Sequence, residues 1–279
     1  MAEDFGRLAP WLARWALELD GEPFVTGYSK SLLAPVRRGG IPAMLKIAAD
    51  ADERRGALQM VWWTGEGAAP VLAHDREALL MVRLAGPRSL ADMAREGRDD
   101  EATRTLCAVA DRLHALRGGG PPAGLIPLRR WFRALAPAAA AQGGVLAGAL
   151  ATAETLFAEP QGWCVLHGDL HHANVLDGGE LGWLAIDPKG LFGERAYDYA
   201  NILCNPDGPT AIAPGRLATQ AAVIAEAARL PLKRVLAWTH AHAGVSAAWC
   251  IKDGFDPTAA LAIAEIAGAE LSRLGWSSK

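Results

Sequence analysis

Three residues combine type and spacing in a way that points to chemistry: Asp169, Asn174 and Asp187. Asp169 and Asn174 lie five apart in the polar stretch HGDLHHANVL, and Asp187 follows eighteen after Asp169, at the end of the apolar run LGWLAI. A carboxylate in a polar loop can accept a proton from a hydroxyl, while a second carboxylate and an amide oxygen are hard donors suited to Mg²⁺. Phosphoryl transfer asks for such a set. It needs an acceptor oxygen held in line, a base for its proton and cations over the phosphates, with little covalent help.

The elements around these residues have to hold them still. WCVLHGDLHHANVLDGGELGWLAIDPKG reads as a short apolar run, a polar loop, a second run, a Gly-Gly turn and a third run, so short strands flank the reactive loop. Upstream, FVTGYSKSLLAPVRRGGIPAMLKIA has two apolar runs around Arg37-Arg38-Gly39-Gly40, which predicts two antiparallel strands joined by a glycine turn. ADADERRGALQMVWW has helical spacing with acids near its start, and APVLAHDREALLMVRLAG reads as two more strands. LAPWLARWALEL near the N-terminus is expected to be an amphipathic helix. The portion to about Gly86 is thus strands with one long helix inserted. From Ser89 to Leu116, from Trp131 to Ala158 and from Pro214 onward the pattern is helical, with RGGGPPAG as the longest loop signal.

Composition narrows the classes. The chain of 279 residues suits one domain or two joined lobes. No apolar run reaches the roughly 18 to 20 residues of a membrane-spanning helix, and MAEDFGRLAP lacks the basic-then-apolar order of a signal peptide, so a soluble, cytoplasmic protein is expected. A net charge of −3 offers no basic field for nucleic acid. Cys107, Cys164, Cys204 and Cys250 are far apart with no C-x-x-C pair, which predicts reduced, buried thiols. Lysine is scarce, which singles out Lys46 inside the apolar segment IPAMLKIA.

HGDLHHANVL followed by GWLAIDPKGLFGERAYDYAN resembles the aminoglycoside phosphotransferases, in particular the branch with streptomycin 6-kinases and hydroxyurea phosphotransferases. The likeness extends to LKIA, ADERRGA and SAAW and is most specific between residues 163 and 205. It implies an α+β, protein-kinase-like fold, with a strand-rich N-terminal nucleotide lobe over residues 1–86 and a mainly helical catalytic and acceptor lobe over 87–279. It implies ATP and Mg²⁺ as cofactors and a small-molecule acceptor. Asp169 would be the catalytic aspartate, Asn174 and Asp187 the magnesium ligands, Lys46 the phosphate-contacting lysine and Glu53 its ion-pair partner. Residues 80–86, with Met81, Val82 and Arg83, would form the hinge whose backbone receives adenine. There is no G-x-G-x-x-G, so the phosphate-covering turn would rest on Gly27 and the hydroxyls of Ser29 and Ser31. Asp187-Pro188-Lys189-Gly190 replaces D-F-G, and the proline fixes a dihedral, so no phosphorylation-driven flip is expected.

Several residues carry a plainer reading too. His167, His171 and His172 look like a zinc cluster, but metal sites usually draw spaced ligands from rigid elements; His167 reads as a prop for the loop, and His171 or His172 as solvated. Asp198 resembles the family position that braces the catalytic loop. Lys189 reads first as a backbone brace and second as a positive charge near the transferring phosphate. An acceptor bearing cationic groups asks for carboxylates, and Glu194, Asp207, Asp253 and Asp256 are candidates by position; the resemblance, which implies an acceptor bound between the catalytic loop and the C-terminal helices, adds Trp249. The rival functions are a non-catalytic nucleotide-binding protein of the same fold, a kinase for an unrelated metabolite, and a protein kinase, for which no activation segment is evident.

Overall fold

The computed structural model of the protein describes residues 2–27, 29–115, 118 and 120–276. The small lobe begins with α1 (Ala2–Arg14) and continues through β1 (Leu17–Leu19), β2 (Phe24–Val25), β3 (Leu32–Arg38), β4 (Ile41–Ile47), α2 (Ala51–Trp63), β5 (Val71–His74) and β6 (Ala78–Val82). The strands form one antiparallel sheet in the order β1-β3-β4-β6-β5, with β2 beside β3. Gly39 and Gly40 both have positive φ, 54° and 83°, the backbone that a two-residue hairpin demands. Strand alternation then sorts the side chains. Leu32, Ala34, Val36, Ala43, Leu45 and Ile47 are buried on one face, in a small core with Leu8 of α1. Lys46 must therefore point to the opposite face, in register with Leu33 on one side and Leu79 on the other.

The helix expected across LAPWLARWALEL ends at Arg14 instead, and Ala16 turns the chain at φ 51°. Leu17–Leu19 pair with Val36–Arg38 at the sheet edge, so tertiary pairing overrides the helical spacing. Asp50 caps α2 by accepting the N–H groups of Asp52 at 2.9 Å and Glu53 at 3.0 Å. Its buried residues, Glu53, Gly56, Gln59, Met60 and Trp63, recur every three to four positions and so form one face.

The large lobe follows: α3 (Leu90–Arg95), α4 (Asp99–His114), β7 (Ile126–Pro127), α5 (Leu128–Trp131), α6 (Leu135–Gln142), α7 (Gly144–Ala158), β8 (Trp163–Leu166), β9 (Val175–Asp177), β10 (Trp183–Ala185), β11 (Leu191–Glu194), α8 (Ala200–Leu203), α9 (Gly208–Ala211), α10 (Arg216–Ala227), α11 (Leu232–Asp253) and α12 (Thr258–Arg273). Strands β9 and β10 make the expected hairpin, and β7, β11 and β8 make a small sheet that periodicity did not reveal. Helix α11 is buried along most of its length and packs on α7 and α12. The large core does not stop at the lobe boundary: Met60 and Trp63 of α2 and Leu79 and Met81 of β6 belong to it.

Between the lobes, Gly86 N–H donates to the Asp177 carbonyl at 2.8 Å, and Arg88 grips the Asp177 carboxylate through Nε and Nη2, both at 2.8 Å. The connection is thereby pinned to the β9–β10 hairpin. The Arg88 guanidinium holds the Asp177 carboxyl well below the usual carboxylate range. Among the described residues the four cysteines are free, with Cys107 buried and the others half-buried. No helix among the described residues is long and apolar enough to cross a membrane.

Candidate active site

On the inner face of the sheet Lys46 Nζ meets two carboxylates, Glu53 from α2 and Asp187 from the segment after β10. Glu53 is buried, and Ser31 Oγ donates to its Oε2 at 3.1 Å. That contact turns Ser31 inward, so its hydroxyl is not offered to a phosphate as the sequence suggested. Ser29 Oγ and Thr26 Oγ1 lie 2.7 Å apart at the cavity edge, and Thr26 Oγ1 receives Ser31 N–H at 3.0 Å to close the turn. Gly27 lies in that turn, while Tyr28 is outside the described residues.

Asp198 organises the loop that carries Asp169. Its carboxylate accepts the N–H of His167 at 2.8 Å and of Gly168 at 2.7 Å, with His114 Nε2 at 2.7 Å. His167 Nε2 donates to the Ile186 carbonyl at 2.9 Å while Nδ1 accepts Asp169 N–H at 3.2 Å, so the ring is the neutral prop the sequence implied, and burial pushes its pKa down. His172 is buried rather than solvated, and burial pushes it down to about 3. Among the described residues, no cluster of three or more potential metal-binding side chains is present.

The side chains that the motif singled out converge from both sides of the hairpin. Asp169 Oδ1 accepts from Asn201 Nδ2 at 2.8 Å, and Asp169 Oδ2 faces Lys189 Nζ at 3.4 Å. Lys189 also reaches Asp187 Oδ2 at 3.0 Å, so its ammonium stands between two carboxylates and is not a backbone brace. Burial alone would raise the Asp169 carboxyl, but the positive field of His171 and Lys189 outweighs it and lowers the pKa. Burial likewise opposes ionisation of Asp187, and Lys46 and Lys189 overcome it to hold the carboxyl far below its ordinary value. Asn174 Nδ2 donates to the Asp169 carbonyl at 2.9 Å, which leaves the amide oxygen as a ligand. One carboxylate and one amide oxygen form an incomplete shell, suited to a Mg²⁺ that arrives with phosphate oxygens rather than to a metal held by protein alone.

Two cavities meet here. A smaller one of about 190 Å³ runs under the sheet past Leu33, Lys46, Leu79, Met81 and Ile186. A larger one of about 580 Å³ opens beside Asp169, His171, Asn201, Trp131 and Trp249. Thr26, Asn174 and Asp187 line both, so the amide and the carboxylate stand at the junction.

The hinge and acceptor expectations divide. Met81 lines the smaller cavity, but Val82 and Arg83 do not, and their N–H groups are spent on the carbonyls of Pro70 at 2.9 Å and Pro42 at 3.1 Å. The Arg83 side chain turns away to Asp20, so its charge does not obstruct the cavity. Trp249 and Asp253 line the larger cavity. Glu194 does not: it is buried against Arg234 and receives Gln161 N–H at 3.1 Å. Asp207 caps α9 and pairs with Arg95 at 2.8 Å, and Asp256 accepts Thr258 Oγ1 at 2.6 Å, so these carboxylates are also committed elsewhere. The structure adds Asp52, Trp131, Asn201, His242 and Ser246 to the wall. They come from four separate elements: Asp52 lies within ADERRGA, Asn201 ends GWLAIDPKGLFGERAYDYAN and Ser246 opens SAAW, though none was singled out there, while Trp131 and His242 lie in none of these motifs.

A sheet lobe pinned to a helical lobe around these cavities is the architecture of the protein-kinase-like phosphotransferases. A choline/ethanolamine kinase family protein from Mesorhizobium loti shares it, with a TM-score of 0.65 over 99% of this chain and 96% of that one at 17% identity. The chain belongs to the aminoglycoside/hydroxyurea antibiotic resistance kinase family, whose model matches residues 14–254. It is 49% identical to a streptomycin 3''-kinase from Klebsiella pneumoniae over 87% of this chain and 92% of that protein. It is 33% identical to a streptomycin 6-kinase from Streptomyces griseus over 92% and 85% respectively. The protein is accordingly a small-molecule phosphotransferase.

Proposed function

We propose that the protein transfers the γ-phosphoryl group of ATP to a hydroxyl of a cationic aminoglycoside of the streptomycin type. The observation that carries this reading is the junction of the two cavities at Asn174 and Asp187, with Asp169 on the larger side. Residues 1–86 serve as the nucleotide lobe and 87–279 as the catalytic and acceptor lobe. The nucleotide base lies in the smaller cavity against Leu33, Leu79 and Met81. Lys46, held by Glu53, meets the phosphates, and the turn with Gly27 and Ser29 covers them. Asn174 and Asp187 hold Mg²⁺, which when bound neutralises charge on the phosphates.

Asp169 Oδ1 is occupied by Asn201, so Oδ2 takes the proton as the acceptor oxygen bonds to the γ-phosphorus and the bond to ADP breaks. Lys189, beside that oxygen, offsets negative charge on the transferring group. The size of the larger cavity supports a bulky acceptor over hydroxyurea, because about 580 Å³ is the range of drug-sized ligands. Asp52 and Asp253 supply carboxylates from either lobe, and Trp131 and Trp249 supply aromatic walls, alongside the cations Arg133 and Lys252. The 49% identity to a streptomycin 3''-kinase favours the 3'' hydroxyl. The place of action is the cytoplasm, where ATP is available.

The test is ADP release from ATP with and without Mg²⁺, with streptomycin, other aminoglycosides and hydroxyurea as acceptors. Streptomycin is expected to stimulate release, with phosphate found at the 3'' position by NMR of the product. Asp169→Asn is expected to lower kcat by about 10²- to 10⁴-fold while nucleotide binding persists. Stimulation by hydroxyurea alone, or turnover that survives Asp169→Asn, would contradict the proposal.

A further inference from the structure

Behind Asp169, a row of buried and half-buried side chains leads to the acceptor wall. Trp131 Nε1 donates to Tyr197 Oη at 3.0 Å, and Tyr197 Oη lies 3.1 Å from His242 Nδ1. His242 Nε2 lies 3.1 Å from Asn201 Oδ1, and Asn201 Nδ2 donates to Asp169 Oδ1 at 2.8 Å. We infer that Tyr197, His242 and Asn201 are positioning residues, a one-way hydrogen-bond relay from Trp131 that fixes which oxygen of Asp169 is free to take the acceptor proton. The inference rests on the reading of Asp169 as the base.

Direction follows from the two ends. An indole N–H can only donate and a carboxylate can only accept. With Trp131 donating to its oxygen, Tyr197 directs its hydrogen at His242 Nδ1. The imidazole therefore carries its proton on Nε2 and donates to Asn201 Oδ1. Asn205 Nδ2 donates to the same oxygen at 3.1 Å, so two donors hold the amide in one orientation and leave Nδ2 for Asp169. A reversed amide would set its oxygen against the carboxylate.

Tyr197 is fully buried and His242 nearly so, and burial holds His242 down to about 4, which keeps it neutral. Trp131 packs edge-on against Trp249 with ring centroids 5.1 Å apart, and both line the larger cavity. The wall that meets the acceptor and the carboxylate that takes its proton are thus joined through bonds of fixed sense.

Tyr197→Phe removes one oxygen and keeps the ring contacts with Phe132, Trp238 and His242. Trp131→Phe removes the first donor and keeps an aromatic wall. Each variant is expected to show kcat roughly tenfold lower with the KM for ATP unchanged, because the base is misaligned while the nucleotide contacts remain. In wild-type protein the ¹⁵N shifts of His242 are expected to report the Nε2–H tautomer. A wild-type His242 protonated on Nδ1, or a folded Tyr197→Phe protein with undiminished kcat, overturns the relay. Lack of turnover by the wild type with every acceptor overturns the proposed activity instead, and the tautomer then decides the relay alone.

Discussion

The two oxygens of Asp169 keep different company, and Lys189 is the reason. Oδ1 is held by Asn201, whereas Oδ2 faces an ammonium shared with Asp187. A base works only when ionised. Burial would raise the Asp169 pKa, but His171 and Lys189 reverse the sign, so the acidic limb of the kcat profile should lie below the ordinary aspartate value of about 4. Lys189→Met deletes one of those positive charges, and the limb should move to higher pH with kcat reduced; an unmoved limb in a pH series of kcat would remove Lys189 from this role. The string from His167 to Gly190 disclosed Asp169, Asn174 and Asp187 because the three are packed into one continuous motif. Lys46 and Glu53 were legible for a related reason, since strand and helix follow each other within a few residues. His242 and Trp131 were not, because only folding brings α11 and α5 to this point, and Asn201, which ends the quoted motif, gained its role only when α8 set it beside Asp169. Glu194, Asp207 and Asp256 were chosen by sequence position, and position does not reveal that Arg234, Arg95 and Thr258 already occupy them.

Among the elements, α2 and the segment Asp187-Pro188-Lys189-Gly190 press closest. A Cβ at Gly56 would lie 2.2 Å from the Pro188 carbonyl oxygen, a backbone atom that cannot rotate away. Gly56→Ala should therefore push α2 off the segment, separate Glu53 from Lys46, and cost about 1–3 kcal/mol of stability. Urea melts would show the loss and the KM for ATP would rise; a variant as stable and active as wild type would mean that the two elements do not press together in solution. Sequence periodicity located β3, β4 and α2, since each has enough residues to express a period, and the short strands β9 and β10 showed through the Gly-Gly turn between them. It could not locate β1, β7 or β11. These strands have two to four residues and exist only through partners far along the chain, Val36–Arg38 for β1 and Trp163–Leu166 for β11.

Across the molecule, α2 follows the small-lobe strands in sequence but is bonded to the large lobe. Gln59 Nε2 donates to the Leu166 carbonyl at 2.6 Å and its Oε1 accepts Gly190 N–H at 2.8 Å. Arg55 Nε reaches the Gly124 carbonyl at 2.9 Å, and Trp63 Nε1 the Leu113 carbonyl at 3.1 Å. With Met60, Trp63, Leu79 and Met81 in the large core, the lobes should melt together: calorimetry should give one transition whose calorimetric and van't Hoff enthalpies agree. Two resolved transitions would show that the lobes unfold independently. The anchoring of α2 reaches beyond stability. A helix tied down at four points gives Glu53 no second resting place, and Pro188 denies the neighbouring segment one of its torsions. A covalent signal that worked by swinging α2 away from Lys46 would first have to break those bonds to the large lobe.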